Sequence, residues 1–150
     1  LPICYIIIRP SQLVATISGE TEVTRGNEQI ITLNGSDSYD PHVGHGSLDS
    51  LTFFWLCKRS DEEFPTRNPN DIQIVPILSN QSGKSLEGCF GTGIGRLAIT
   101  EPVITLNAST MENTSASYIF KLIVMKDARL SSDSKTIHVV EGSPPAVSFV

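Results

Sequence analysis

The chain is short of nearly everything that metal-binding, redox or nucleic-acid-binding proteins concentrate. Its 150 residues hold 3 cysteines, 3 histidines, 1 tryptophan and 2 methionines, with 11 basic side chains against 16 acidic ones. Cys4, Cys57 and Cys89 form no C-x-x-C pair and none lies close in sequence to a histidine, so the ligand spacing of a zinc site is absent. The net charge of -5 is spread through loops and leaves no basic stripe, which argues against a nucleic-acid partner. No apolar run approaches the roughly 18 residues of a membrane-crossing helix. Ile3 to Ile8 is too short even for the apolar region of a signal peptide. The chain opens on Leu1 rather than on an initiator methionine, and it is read as a segment of something longer.

What is present is material for one β-rich core. With 39% hydrophobic residues the chain can remove roughly two-thirds of its unfolded surface from water on folding. Four of the seven asparagines, Asn34, Asn80, Asn107 and Asn113, stand in N-x-S/T sequons. That density favours a secreted or extracellular setting, where disulfides also persist.

Short β-forming runs separated by turn residues organise the rest. Leu13 to Ile17 and Gln29 to Leu33 are predicted as the first two strands, joined by a polar loop through Arg25, Gly26 and Asn27. Thr52 to Lys58 is the third, with Leu51, Phe53, Trp55 and Cys57 at spacing two and therefore on one face, which should be the core. Arg59 to Asp71 reads as an exposed loop because Pro65 and Pro69 break any periodicity, and Ile72 to Leu78, interrupted by Pro76, as an edge strand or a strand with a break. A Gly/Ser-rich connection, Ser79 to Gly95, carries Cys89; Leu97 to Ile99 and Val103 to Leu106 follow as strands. Tyr118 to Met125 places Tyr118, Phe120, Leu122 and Val124 on one face. Its other face, Ile119, Lys121, Ile123 and Met125, is less polar than an outer face should be, and partial cover by a neighbouring domain would explain it. Lys135 to Val140 is the last strand. The pattern predicts an all-β, immunoglobulin- or fibronectin-III-like sandwich of about seven strands. Residues 1–9 are a lead-in strand or the end of a preceding domain, 10–141 the sandwich, and 142–150 a linker and the first strand of a following domain.

Between the second and third strands the chain must turn. Asn34, Gly35, Ser36, Asp37, Ser38, Asp40 and Pro41 either bond their own backbone or pre-set turn dihedrals. The segment L-N-G-S-D-S-Y-D-P, followed by L-T-F-F-W-L-C, resembles the L-D-G/A-S-x-S-x-D-P and F-x-W-x-C pattern of the REJ (receptor for egg jelly) module of polycystin-1-like receptors. A shorter form of it occurs in PKD-type immunoglobulin-like repeats. Asn34 departs from the aspartate usual there; the swap creates a sequon and keeps the turn chemistry of Asn34, Gly35, Ser36, Asp40 and Pro41. The resemblance covers roughly 10–140 and implies a sandwich fold and a disulfide between Cys57 and a downstream cysteine, here Cys89, with Cys4 free or paired outside the segment.

Other constellations weigh less than their structural alternatives. Trp55 could stack on a sugar or cation, but the same-face Phe53 and Leu51, with Phe120, Leu122 and Val124, make it a core residue. His42 and His45, near Asp40 and Asp49, lack a third fixed metal ligand, and their glycine-rich loop reads as a solvated turn. Asp37, Asp40, Asp49 and Asp61 have no D-x-D-x-D spacing for calcium. Gly91 to Gly95 has no following lysine for a phosphate loop, so it reads as a flexible connection. His138 has no serine or aspartate at local motif spacing.

The expected function is a non-enzymatic, extracellular module without cofactor, and the family resemblance implies that its parent is a large multi-pass cell-surface receptor of cilia or sperm. The family resemblance implies partners: neighbouring domains of the same receptor, an extracellular protein or glycan ligand, and a TRP-type polycystin channel subunit for the parent receptor. A carbohydrate- or calcium-dependent binding domain and an accessory sandwich of a secreted hydrolase are the alternatives. Among the sequons, Asn80, Asn107 and Asn113 are ranked above Asn34, whose side chain is needed in its turn.

Overall fold

Alternation at spacing two is carried best by two segments, and these lie side by side at the centre of the larger of two sheets. The computed structural model describes residues 12–44, 47–48, 50–77, 87–111 and 116–142. Its strands are β1 Glu22–Gly26, β2 Ile30–Asn34, β3 Thr52–Arg59, β4 Ile74–Val75, β5 Arg96–Leu97, β6 Val103–Asn107, β7 Ser117–Lys126 and β8 Arg129–Val140. Six of them form one sheet in the order β1-β8-β7-β3-β5-β4, and β2 pairs with β6 in the second. The chain is all-β, a two-sheet sandwich. Cys4, His45, Asp49, Asn80, Asn113, the lead-in at 1–9 and the linker from Ser143 onward lie outside the described residues.

β3 and β7 run antiparallel from Thr52 opposite Met125 to Arg59 opposite Tyr118. Their inward residues, Phe53, Trp55, Cys57, Tyr118, Phe120, Leu122 and Val124, pack with Ile31, Leu33, Ile104 and Leu106 of the small sheet in one core. Burying each such side chain contributes about 1.5–3 kcal/mol, so the alternation decides where the strands form. One hydrogen bond joins the two sheets at the crossing before β6, and a second continues the β2–β6 ladder there. Trp55 Nε1 donates to the Glu101 carbonyl at 2.8 Å, and the Gly35 amide donates to the Pro102 carbonyl at 2.7 Å. Gly35 sits so close under the indole that a Cβ there would lie 2.7 Å from Leu122 Cδ2, 3.0 Å from the Pro102 oxygen and 3.3 Å from Trp55 Cζ2. Glycine is needed at this step of the motif because no side chain fits.

Several sequence expectations are corrected. Leu13 to Ile17 is not a strand of either sheet: it touches Tyr39 through one β-bridge at Val14. Its amides are satisfied by side chains instead, Ala15 by Ser131 Oγ, Thr16 by Ser38 Oγ and Ile17 by Asp133 Oδ2, while Leu13 and Ile17 are buried. The strand lies in the predicted loop, where Glu22–Gly26 pairs in parallel with β8. As an edge strand β1 needs little apolar pattern: Val23 and Arg25 are half-buried, Glu22 and Thr24 exposed, and Gly26 is buried at its end. Leu51 packs against the core as expected but is only half-buried and precedes β3, because Ser50 at φ 66° and the Leu51 amide bond to the Leu48 carbonyl turn the chain there.

The apolar outer face is covered from within this chain. Phe54, Leu56 and Ile123 are buried with Ile72, and Phe64 and Met125 pack beside them. Arg59 to Asp71 is therefore no freely exposed loop: Pro69, within a short 3-10 turn at Pro69–Asp71, is buried.

The spacing around Gly35 leads to a direct expectation. Gly35→Ala should destabilise the domain by about 1–3 kcal/mol, the usual cost of overpacking a filled core. A shift of the urea midpoint with unchanged slope would show it; an unchanged midpoint would mean that Leu122 and the 99–102 crossing move aside freely.

Candidate functional site

Three groupings of polar side chains stand out against this scaffold, and the first is a buried charge cluster at the Asp-Pro turn. Asp40 is 2% exposed, and its carboxylate accepts both Arg129 Nη1 at 2.9 Å and Nη2 at 2.8 Å. Lys126 Nζ lies 3.0 Å from its Oδ2, and the His42 amide donates to Oδ1 at 3.0 Å. Lys126 ends β7 and Arg129 begins β8, joined by a two-residue turn in which Asp127 takes φ 56°. Asp40 thus ties the turn after β2 to the tip of the β7–β8 hairpin. The Arg129 hydrogen bonds hold the Asp40 carboxyl well below the usual carboxylate range, against the opposing effect of desolvation. Of the histidine loop expected to be a solvated turn, His42 and Val43 are exposed, whereas Asp40 just before it is buried. No group of three or more metal-ligating side chains gathers among the described residues. Asp40 faces two cations, Asp37 accepts from Ser18 Oγ at 2.7 Å, and Asp61 is exposed elsewhere.

The second grouping surrounds Cys89. The Cys57 and Cys89 sulfurs are bonded, with the two Cα atoms 5.8 Å apart, and the bridge fastens the glycine-rich segment to β3. In the chain-entropy account, closing a loop of about 33 residues contributes about 3.7 kcal/mol. Glu62 secures the same segment by accepting the Gly88 amide at 3.1 Å and the Arg59 amide at 2.8 Å. Burial pushes the Glu62 carboxyl up, but these amide bonds outweigh it and leave its pKa lowered. The segment is no flexible connection over its described part. Cys89, Phe90, Gly91 and Gly95 are buried, and a Cβ at Gly95 would lie 2.3 Å from the Gln73 carbonyl oxygen. Gly88 and Gly95 permit close backbone approach there.

The third grouping escaped the sequence, because its members are far apart in it. Ser117 Oγ lies 2.6 Å from His138 Nδ1, and His138 Nε2 lies 3.3 Å from Glu22 Oε1. β7, β8 and β1 bring them together, Ser117 standing directly opposite His138 in the ladder. The row lies on an open sheet face whose backbone groups pair strand to strand. It is a cross-strand polar row that runs from β7 over β8 to the β1 edge.

The remaining predicted residues divide between core and surface. Phe53, Trp55, Phe120, Leu122 and Val124 are buried. Asn34, half-buried at the end of β2, accepts the Ser36 amide at 2.9 Å through Oδ1, and Asn107, exposed at the end of β6, accepts the Ser109 amide at 3.0 Å in the same way. The sequence offered no sign of the roles of Arg129, Lys126 and Glu62, whose partners lie on other elements.

Asp40 and Glu62 set a pH dependence. A carboxyl whose folded pKa is depressed contributes stability that is full above its unfolded pKa, about 3.9 for Asp, and is lost as pH falls through the folded value. Asp40→Asn should lower the melting temperature at pH 7, and the gap from the parent should narrow progressively below about pH 4. His42→Ala should melt like the parent at pH 7. A gap that is constant down to pH 2 would show that Asp40 acts by shape rather than charge.

Comparison with known proteins places the chain. The family model of the REJ domain matches residues 2–149. A human protein named "Polycystin family receptor for egg jelly" is 27% identical over 149 residues, covering 97% of this chain and 6% of that protein. The mouse protein of the same name is 28% identical over 144 residues, 95% of this chain and 6% of its own length. Human "Polycystin-1" is 32% identical over 57 residues, 38% of this chain and 1% of that protein. The chain thus spans only about a twentieth of the receptors for egg jelly that it matches. With the family model matched from residue 2 to residue 149 on a sandwich whose Trp55 strand follows an Asp40-Pro41 turn, the chain belongs to the REJ domain family.

Proposed function

We propose that the chain is an extracellular, non-catalytic module of a polycystin-type cell-surface receptor, serving adhesion or ligand recognition and spacing the receptor's other parts. The observation that carries this reading is the match to proteins named as receptors over 97% of the chain. The disulfide, which persists in oxidising compartments, and the sequon density support it. The parent protein would be a multi-pass membrane receptor, of cilia or sperm, paired with a TRP-type channel subunit. Its contacts would run through neighbouring domains and an extracellular protein or glycan ligand.

A spacer must resist being pulled open, and the ties described above suit that task. The Asp40 cluster, the Cys57–Cys89 bridge and the Trp55 contact each join segments distant in sequence. With the large apolar side chains packed between the sheets, recognition falls to loops and outer faces.

Folding and binding effects can be separated. Trp55→Ala removes a fully buried indole and should cost about 3–5 kcal/mol, a large share of a domain's stability. In the full-length receptor the variant should be retained inside the cell. Surface staining and thermal melting check this. A stable, surface-delivered Trp55→Ala receptor that has lost a ligand would make the tryptophan a binding residue and overturn the reading.

A further inference from the structure

The small sheet has an outer face whose composition is unusual for one left open to water. β2 and β6 pair with Ile30 opposite Asn107, Thr32 opposite Thr105 and Asn34 opposite Val103. These six residues alternate with the buried Ile31, Leu33, Ile104 and Leu106, so they share the outward face. Ile30 is 59% exposed and Val103 41%. Each sequon asparagine of this sheet therefore stands directly across from an exposed, β-branched apolar side chain, at a separation of about 4.5–5.5 Å between Cβ atoms.

The two corners are not equivalent. Asn107 is exposed and its Oδ1 is held by the Ser109 amide, which fixes the side-chain direction and leaves the amide nitrogen, the atom a glycan bonds to, outside that turn. Asn34 is half-buried, and its Oδ1 accepts from both the Ser36 amide and the Ser36 hydroxyl. The glycosylation machinery needs that hydroxyl-bearing residue accessible, so the Asn107 corner is the better acceptor.

We infer that a glycan carried by Asn107 folds back over Ile30, its first N-acetylglucosamine laying the C–H face of the ring and the acetyl methyl on that side chain. The inference rests on the extracellular reading. It assigns the exposed apolar corner an occupant, a covalently tethered sugar, and makes the outer face of the small sheet a sugar-covered surface. Protein partners then meet the module on its other faces.

Ser109 supplies a clean test, since its backbone amide holds the turn while its hydroxyl completes the sequon. The whole chain, secreted from eukaryotic cells, is compared with Ser109→Ala, Ile30→Thr and the double variant by thermal melting, with site occupancy read by peptide mapping. Ser109→Ala should lower the melting temperature by about 2 °C, of the order a single modest contact gives in a chain of this size. In the Ile30→Thr background the same change should have no effect. Equal losses in both backgrounds would overturn the inference. So would an empty Asn107 beside an occupied Asn80 or Asn113, which leaves the extracellular reading standing. Four empty sequons in the secreted protein would overturn both.

Discussion

The contact of the Trp55 indole with Gly35 and Leu122 is the constraint on which the two sheets depend. Trp55 belongs to the centre of the large sheet, and Gly35 follows directly on β2 of the small one. The indole can approach the backbone this closely only because residue 35 has no side chain. Its N–H then reaches the Glu101 carbonyl, while the neighbouring Gly35 amide takes that of Pro102. One aromatic ring thus fills the core and orients the crossing that delivers β6 to its partner. Both buried donors are satisfied, which avoids the roughly 1–3 kcal/mol that each unpaired group would cost.

Around that centre, polar ties secure what apolar packing cannot. Leu13 to Ile17 has no ladder partner along most of its length, and its amides are taken up by Ser131, Ser38 and Asp133. The segment stitches the turn after β2 to β8. Asp40 does the same at the hairpin tip with a bidentate arginine, a geometry more specific than a point charge. Neither tie forms a cavity or a gathered set of reactive groups, and both serve the rigidity of the sandwich.

How much of this was legible depended on whether a residue's partners were near it in sequence. β3 and β7 announced themselves, because alternation is a local property and Phe53, Trp55, Phe120 and Leu122 display it without help. Gly35 and Asp40 were legible as turn residues, but the burial of Asp40 was not: Arg129 lies 89 positions away. The apolar outer face of β7 suggested cover by a neighbouring domain for a similar reason. Its cover, Ile72 and Phe64, comes from a proline-interrupted stretch with no periodicity of its own. β1 was missed because an edge strand paired on one side needs backbone, not pattern, and Leu13 to Ile17 was mistaken for it because buried ends at a spacing of four look like strand material. The row of Ser117, His138 and Glu22 is a product of strand order, which no local motif encodes.

If Trp55 joins the sheets as described, its indole N–H cannot meet water until the whole sandwich opens. Native-state hydrogen exchange of that single proton, followed by NMR in low denaturant, tests this most directly. The account predicts an opening free energy equal to that of global unfolding and the same dependence on denaturant. Exchange through a smaller, denaturant-independent opening would show that the 99–102 crossing detaches on its own, and that the two sheets are held together by something else.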